Sequence, residues 1–285
     1  MDDRDWLAER FEEQRQHLRG VAYRMLGSLA EADDAVQDAW LRINRSGASG
    51  VENVRAWLTT IVARVCLNIL RSRRARREEP LDARVPDPVI SREDSAHPEQ
   101  EVLLADSVGL ALQVVLETLS PAERLAFVLH DMFDVPFEQI AQMVDRSPEA
   151  ARQLASRARR RVRGAAPMPD TDLASQRKVV DAFFAAARGG DFDALVSVLD
   201  PDVVVRVDRP AAPLVVRGAQ AVAGQALATA QPSAVIEPTL VNGAAGVIIR
   251  LNGRPVALLG FTVAQGRIAE IDAIVDPARL VRLGL

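Results

Sequence analysis

Apolar residues recur every three to four positions through residues 1–77 and again over residues 101–165, the spacing of helices with one buried face. A first helix is predicted from about Trp6 to Leu26, a break at Gly27-Ser28, and a second from Leu29 to Ile43. Asn44 to Gly50 (NRSGASG) reads as a polar, glycine-rich loop. A long helix is predicted from Val54 to Arg74, with Leu58, Ile61, Val65 and Ile69 as its buried stripe and Thr60, Arg64, Asn68 and Arg71 as its polar one. Trp57 lies beside the apolar stripe, which favours core packing over a stacking role. Residues 78–100 carry four prolines and seven acidic residues and no apolar face, so they read as an extended linker. Helix resumes near Glu101, and Ser120-Pro121-Ala122-Glu123 is a capping-box start for a helix reaching about Met132. After residues 164–172 (GAAPMPDTD) the period changes. Helices at 174–187 and 191–199 precede strand-like runs at 203–208, 213–216, 234–241, 246–251, 255–263 and 267–275, with a helix at 218–229 among them. Asn242-Gly243, Asn252-Gly253 and Gln265-Gly266 are hairpin signals. An α+β domain of antiparallel strands is expected there.

One segment carries chemistry. In VPFEQIAQMVDRSPEAARQLASRARRRVR (135–163), Phe137, Ile140, Ala141 and Val144 form one apolar face, and Asp145-Arg146-Ser147 breaks it. Ser147 suits an N-cap, Pro148 the first helical position, and Glu149 the positive helix end. The next helix is expected to bury Ala151, Leu154, Ala155, Ala158 and Val162 and to present Arg152, Ser156, Arg159, Arg160 and Arg163. Two short helices with a tight turn place the second in a DNA major groove. Its arginines would neutralise phosphates, and Gln153 or Arg152 could read base edges. The alternative is a basic solvated helix in an ordinary bundle. The capped turn, and the lack of any acidic residue between Ala150 and Pro169, favour DNA.

Charge and composition limit the rest. Net charge is −4, which suggests weak DNA binding unless a partner supplies further contacts, since local patches outweigh the sum at short screening lengths. There is no apolar run of membrane-spanning length and no signal-peptide pattern in MDDRDWLAERFEEQ, and a cytoplasmic protein without membrane contact is expected. The lone Cys66 sits among Val65, Leu67 and Ile69, as a buried inert thiol would. His17, His97 and His130 lack metal-ligand spacing, and neither metal nor cofactor is expected.

Taken in order, the segments resemble a bacterial extracytoplasmic-function (ECF) RNA polymerase sigma factor with an added SnoaL-like/NTF2-like domain. ASGVENVRAWLTTIVARVCLNILRSRRAR is similar to that family's −10-reading helix, and AEADDAVQDAWLRI to its polymerase-clamp segment. ETLSPAERLAFVLHDMFDVPFEQIAQMVDRSPEAARQLASRARRRV resembles its region 4. The resemblance implies a multidomain chain: an all-α region 2 domain (1–77), a flexible linker (78–100), a region 4 helix-turn-helix domain (101–165) and a cone-shaped α+β domain (170–285). It implies core RNA polymerase and promoter DNA as partners. The −35 contacts would come from Ser147, Glu149, Arg152, Gln153, Ser156, Arg157, Arg159 and Arg160. The −10 contacts would come from Asn53, Arg55, Arg64, Asn68, Arg71, Arg73 and Arg74. Polymerase would meet Asp33, Asp34, Gln37, Asp38 and Trp40. The polar loop falls where the family captures a flipped base. The linker acids Glu78, Glu79, Asp82, Asp87, Glu93 and Asp94 could mimic nucleic acid or simply belong to a spacer.

Relatives with this extension carry WLPEP-like, DGGGK-like and NPDKL motifs. The corresponding segments are Arg84-Val85-Pro86-Asp87-Pro88, Val207-Asp208-Arg209-Pro210 and Asp276-Pro277-Ala278-Arg279-Leu280; the glycine motif is absent. Catalysis in the last domain would need an acid or base in its cone. No histidine follows residue 130, which leaves Asp208 and Asp272. A regulatory domain, with a pocket that could take a small ligand, is favoured over an enzyme. The rival readings are a ligand-responsive helix-turn-helix regulator acting without polymerase, and a SnoaL-type enzyme.

Overall fold

The computed structural model describes residues 3–46, 51, 53–75, 85–91, 109–165, 167, 169–210 and 212–285. It divides into a helical unit, residues 1–80 with 115–165, and a C-terminal unit, residues 81–114 with 166–285. Residues 47–50 and 52 of the expected polar loop lie outside the described residues, as do Glu78, Glu79, Asp82, Glu93 and Asp94, while residues 44–46 continue the preceding helix.

In the helical unit α1 (Asp3–Leu26), α2 (Leu29–Ser46) and α3 (Val54–Ala75) pack together. Gly27, at φ 77°, ends α1 by donating to the Tyr23 carbonyl at 2.8 Å, a left-handed stop that glycine adopts without strain. Helix α2 buries Ala32, Ala35, Val36, Ala39 and Ile43, small side chains that bring its axis close to α1. The face α3 buries is rotated slightly from the expected stripe. Leu58, Val62, Val65, Cys66 and Leu70 are buried, while Ile61 and Ile69 are only half-buried. Burial pushes the Cys66 thiol up to about 12, so it stays protonated.

The second half of α4 (Leu110–Thr118) leads into α5 (Pro121–Phe127). Both capping-box bonds form: Glu123 N–H donates to Ser120 Oγ at 3.4 Å, and Ser120 N–H to Glu123 Oε2 at 3.1 Å. Val128–Met132 then forms one π-helical turn, and Asp134 is left-handed at φ 53°. α6 (Phe137–Val144) and α7 (Pro148–Ala165) follow.

The helices on either side of the linker fall in one compact unit. Arg124 of α5, 2% exposed, donates to the Arg24 carbonyl of α1 at 3.0 Å and lies 2.8 Å from Glu117. Phe133 sits under the Arg24 guanidinium.

The C-terminal unit is built on a seven-stranded sheet in the order β1-β4-β5-β6-β7-β2-β3. Its strands are β1 (Ile90–Ser91), β2 (Leu199–Asp208), β3 (Leu214–Arg217), β4 (Val235–Val241), β5 (Ala244–Leu251), β6 (Arg254–Ala264) and β7 (Arg267–Ile274). The three hairpin turns fall where the sequence places them, with both residues of Asn242-Gly243, Asn252-Gly253 and Gln265-Gly266 at positive φ. The sheet is not purely antiparallel, because β2 pairs with β7 in parallel. One face is covered by α8 (Leu173–Gly189), α9 (Phe192–Val198) and α10 (Ala219–Thr229), through Val180, Phe183, Leu195, Val222, Phe261 and Ile271.

The opposite face holds a second apolar cluster of Val85, Leu110, Val241, Ile248, Leu258, Ile274 and Leu280. Val85 belongs to the linker, or tether, between the helical regions, Leu110 opens α4, and Leu280 belongs to α11 (Pro277–Arg282). Residues 85–91 are therefore not a free linker. Ile90 and Ser91 pair with Val241 and Leu240, and Val89 N–H donates to the Asn242 side chain at 2.7 Å. The first half of α4 joins them. A Cβ on Gly260 would stand 3.0 Å from Leu110 Cδ2, so the glycine leaves the notch that Leu110 fills.

Candidate nucleic-acid interface

Helix α7 takes its direction from a left-handed Asp145 (φ 56°), which ends α6, and from Ser147, whose Oγ accepts from Ala150 N–H at 3.2 Å. Glu149 is held below the usual carboxylate range by its own backbone N–H and by Ser147. Ala151, Leu154, Ala155 and Ala158 are buried against the unit, and Val162 is half-buried. Ser147, Glu149, Arg152, Gln153, Ser156, Arg157 and Arg160 are exposed, and Arg159 is half-buried.

Several of these arginines are already paired. Arg152 reaches Glu138 at 3.2 Å and Glu149 at 3.7 Å, and lies over the Phe137 ring. Arg159 meets Asp131 at 2.5 Å. Arg157 at 3.2 Å and Arg161 at 3.4 Å share Glu123. Burial raises that carboxyl, but hydrogen bonds from Ser120 and Arg157 outweigh it and hold it low. Arg160 and Arg163 make no ion pair among the described residues. Such exposed pairs contribute little, about 0–1 kcal/mol each, so phosphates can replace them.

On α3, Asn53 caps the helix, its Oδ1 accepting from Ala56 N–H at 3.0 Å. Arg64, Asn68, Arg71 and Arg74 are exposed on α3. Arg73 is drawn back to Glu31 of α2, and Arg55 to His17 of α1. The residues expected to meet polymerase divide similarly. Asp34 and Gln37 are exposed with Leu41 beside them, whereas Asp33 is bound to Arg19 and Asp38 to Arg42, each at 2.7 Å. Trp40 packs against Phe11, with ring centroids 4.9 Å apart, and serves the core more than the surface. A cavity of about 470 Å³ between α2 and α3 is lined by Asp38, Arg42, Asn68, Ser72 and Arg73 among others.

The C-terminal unit has a different centre. The three segments that correspond to those motifs converge on Arg279, which is 2% exposed. Its Nε and Nη2 reach Asp87 at 2.9 and 2.6 Å; it also binds Asp208 and donates to the Val85 carbonyl. Asp276 caps α11, accepting from Ala278 N–H at 2.8 Å. Beside this, Arg206 holds Glu270 at 3.0 Å and Asp272 at 3.2 Å, on the sheet face away from α8. Burial pushes Asp272 up to about 7; Arg206 opposes that shift and Glu270 adds to it. Asp208 and Asp272, the acid–base candidates, are both engaged by arginines in a packed face. Arg279 and Arg206 were not anticipated, because neither stands in a local pattern; only the position of Arg279 in the last motif marked it.

Among the described residues no helix is long and apolar enough to cross a membrane, and no acidic, histidine or cysteine cluster could hold a metal.

Residues 11–76 match the Sigma-70 region 2 family model, and residues 109–162 match Sigma-70, region 4. The chain is 34% identical over 281 residues to a probable ECF RNA polymerase sigma factor, SigI, of Mycobacterium tuberculosis, covering 98% of this chain and 97% of the relative. It is 44% identical over 217 residues to the ECF sigma factor SigJ of the same organism, covering 74% and 69%. The crystal structure of M. tuberculosis SigJ superposes with a TM-score of 0.76 at 36% identity, covering 96% of this chain and 98% of that one.

Proposed function

The chain belongs to the family of ECF RNA polymerase sigma factors, and from that premise we propose that it joins core RNA polymerase, reads a −35/−10 promoter and helps open it. The observation that carries this is the pair of arginine-bearing helices, α3 and α7, each presenting its cations to solvent on a capped, well-packed support. Helix α7 would enter the −35 major groove through Arg152, Gln153, Ser156 and Arg160, and Arg157 and Arg159 would leave their carboxylates for phosphates. The α3 set would hold the −10 strand, Arg71 and Arg74 on phosphates and Arg64 or Asn68 nearer the bases. Asp34, Gln37 and Leu41 form the exposed stripe of α2 that suits a polymerase clamp.

The role of the C-terminal unit is regulatory. It holds the chain that links the two promoter readers, at Val85, Asp87, Ile90 and Leu110. The freedom of that tether sets whether both readers can bind one promoter. Two arginine-held carboxylates in a packed sheet face do not form a reaction site, which argues against the SnoaL-type enzyme.

The deciding experiment is transcription in vitro with purified core polymerase and genomic promoter fragments. Promoter-specific transcripts that require this chain are expected. Tight, polymerase-independent operator binding without transcripts would instead favour the ligand-responsive regulator.

A further inference from the structure

His17 of α1 lies where α1, α3 and the segment after the π-turn meet. Its Nδ1 accepts from Arg55 Nη2 at 3.0 Å, and its Nε2 is 2.9 Å from Thr59 Oγ1. The Thr59 hydroxyl proton is directed to the Arg55 carbonyl at 2.8 Å, so Thr59 must accept from His17 Nε2–H. Donors and acceptors match only if the imidazole is neutral, with its proton on Nε2. Phe133 closes the ring from the region 4 side, edge-to-face at 5.2 Å, and itself lies 5.2 Å from the Arg24 guanidinium. The π-turn at Val128–Met132 and left-handed Asp134 aim it there, with Val135 N–H bonded to the Leu129 carbonyl at 2.9 Å. The charged groups facing His17 are Arg55 from α3 and Arg24 from α1; no carboxylate pairs with it among the described residues.

We propose that His17 is the proton-sensitive pin of a latch that keeps regions 2 and 4 closed on each other in the free chain, and that protonating it opens the latch and frees both readers.

A proton on Nδ1 would set two N–H donors face to face at the Arg55 contact, next to a second cation. Arg55 must then leave, and the ring can no longer hold Phe133. Burial, with Arg55 and Arg24 nearby, lowers the imidazole from 6.5 to about 4. The sign follows. The closed form gains stability from neutral His17 above about pH 6.5 and loses it as pH falls toward 4. At pH 5.5 the opening constant rises about tenfold. Opening matters because of scale. A body of about 130 residues measures about 35–40 Å across, whereas promoter elements about 25 base pairs apart are separated by about 85 Å at about 3.4 Å per step. A closed helical unit cannot reach both. DNA that captures Arg55 removes the same contact from the other side, so proton and promoter assist each other. This consequence rests on the sigma-factor reading; the opening itself does not.

The test uses the full chain carrying Arg64→Cys and Arg160→Cys, labelled with a donor–acceptor dye pair; Cys66 is buried and stays unlabelled. Single-molecule energy transfer is recorded at pH 7.5 and 5.5, with helix content checked by circular dichroism. The expected result is one short distance at pH 7.5 and a ratio of open to closed molecules about tenfold higher at pH 5.5. His17→Gln, which keeps both hydrogen bonds but cannot titrate, should stay closed at both pH values, and Phe133→Ala should be open at both. An unchanged distance in folded protein, or an equal pH response in His17→Gln, overturns the latch. Transcription with core polymerase is measured alongside on the unlabelled wild-type chain, since Arg64 and Arg160 are themselves assigned to promoter DNA. Transcripts with a pH-invariant distance reject the latch alone, and pH-dependent opening without transcripts rejects the sigma reading alone.

Discussion

Arg279 shows how much one side chain can hold. It lies nearly 200 residues from the tether (Asp87, Val85) and 71 from the end of β2 (Asp208) in sequence, and joins the two. Arg279→Met would keep most of the volume and remove the cation that Asp87 and Asp208 share. Breaking a buried pair costs about 3–5 kcal/mol; Asp87 is 35% exposed, so solvent screening puts the expected loss near the low end, about 3 kcal/mol. Urea unfolding should show this, together with faster proteolysis at residues 85–91; unchanged cleavage there would mean that Arg279 does not hold the tether. The Arg206 group predicts a pH dependence. One cation faces two carboxylates, and Asp272 is raised from 3.8 to about 7. The fold therefore binds that proton more tightly than the unfolded chain does. Its contribution is fully present below about pH 4 and is lost as pH rises through 7. Stability of the C-terminal unit should increase from pH 8 to 6 in wild type, and Asp272→Asn should flatten that slope.

At the scale of elements, what was legible in the sequence is what is encoded locally. The capping box at Ser120, the α6–α7 turn and the three positive-φ hairpins follow from a few adjacent residues, and they formed as read. Three features depend on distant partners and left no local mark: the two-residue β1, the parallel β2–β7 pair, and the division of α4 between two cores. The site divides the same way. Exposure of the α7 arginines was readable from helical period, but their carboxylate partners on α5, α6 and the π-turn were not. Those partners lead to a ranking. Arg160 has no ion pair to give up among the described residues, so Arg160→Ala should weaken promoter binding by the holoenzyme by about 1–3 kcal/mol at a base contact, or lower the salt slope by about 1 at a phosphate contact. Arg159→Ala should cost less, because Arg159 must first leave Asp131. Anisotropy titrations over a salt series would check this; a larger loss from Arg159 would place the DNA on the other side of α7.

At the scale of the whole molecule, two arginine-bearing helices, α3 and α7, stand on either side of a segment that the sheet holds at residues 85–91 and at Leu110. Val85 and Leu110, one near each end of that segment, are buried in the same cluster as Leu280. They are 25 residues apart in sequence, and the cluster that buries both holds the segment at these two points. Removing residues 170–285 would strip the cover from Val85, Ile90 and Leu110 and leave the tether to behave as a flexible chain, with its reach set by length alone. Arg279→Met would loosen one end of the same tether without removing the sheet. If the C-terminal unit regulates through the tether, both changes must move transcription from a fixed promoter in the same direction, with the truncation having the larger effect. The measurement is run-off transcription with saturating core polymerase, which separates promoter use from assembly. Opposite directions would mean that the sheet acts through something other than the tether. An effect of truncation with none from Arg279→Met would locate control in the apolar cluster around Leu110 and Gly260 rather than in the charged hub.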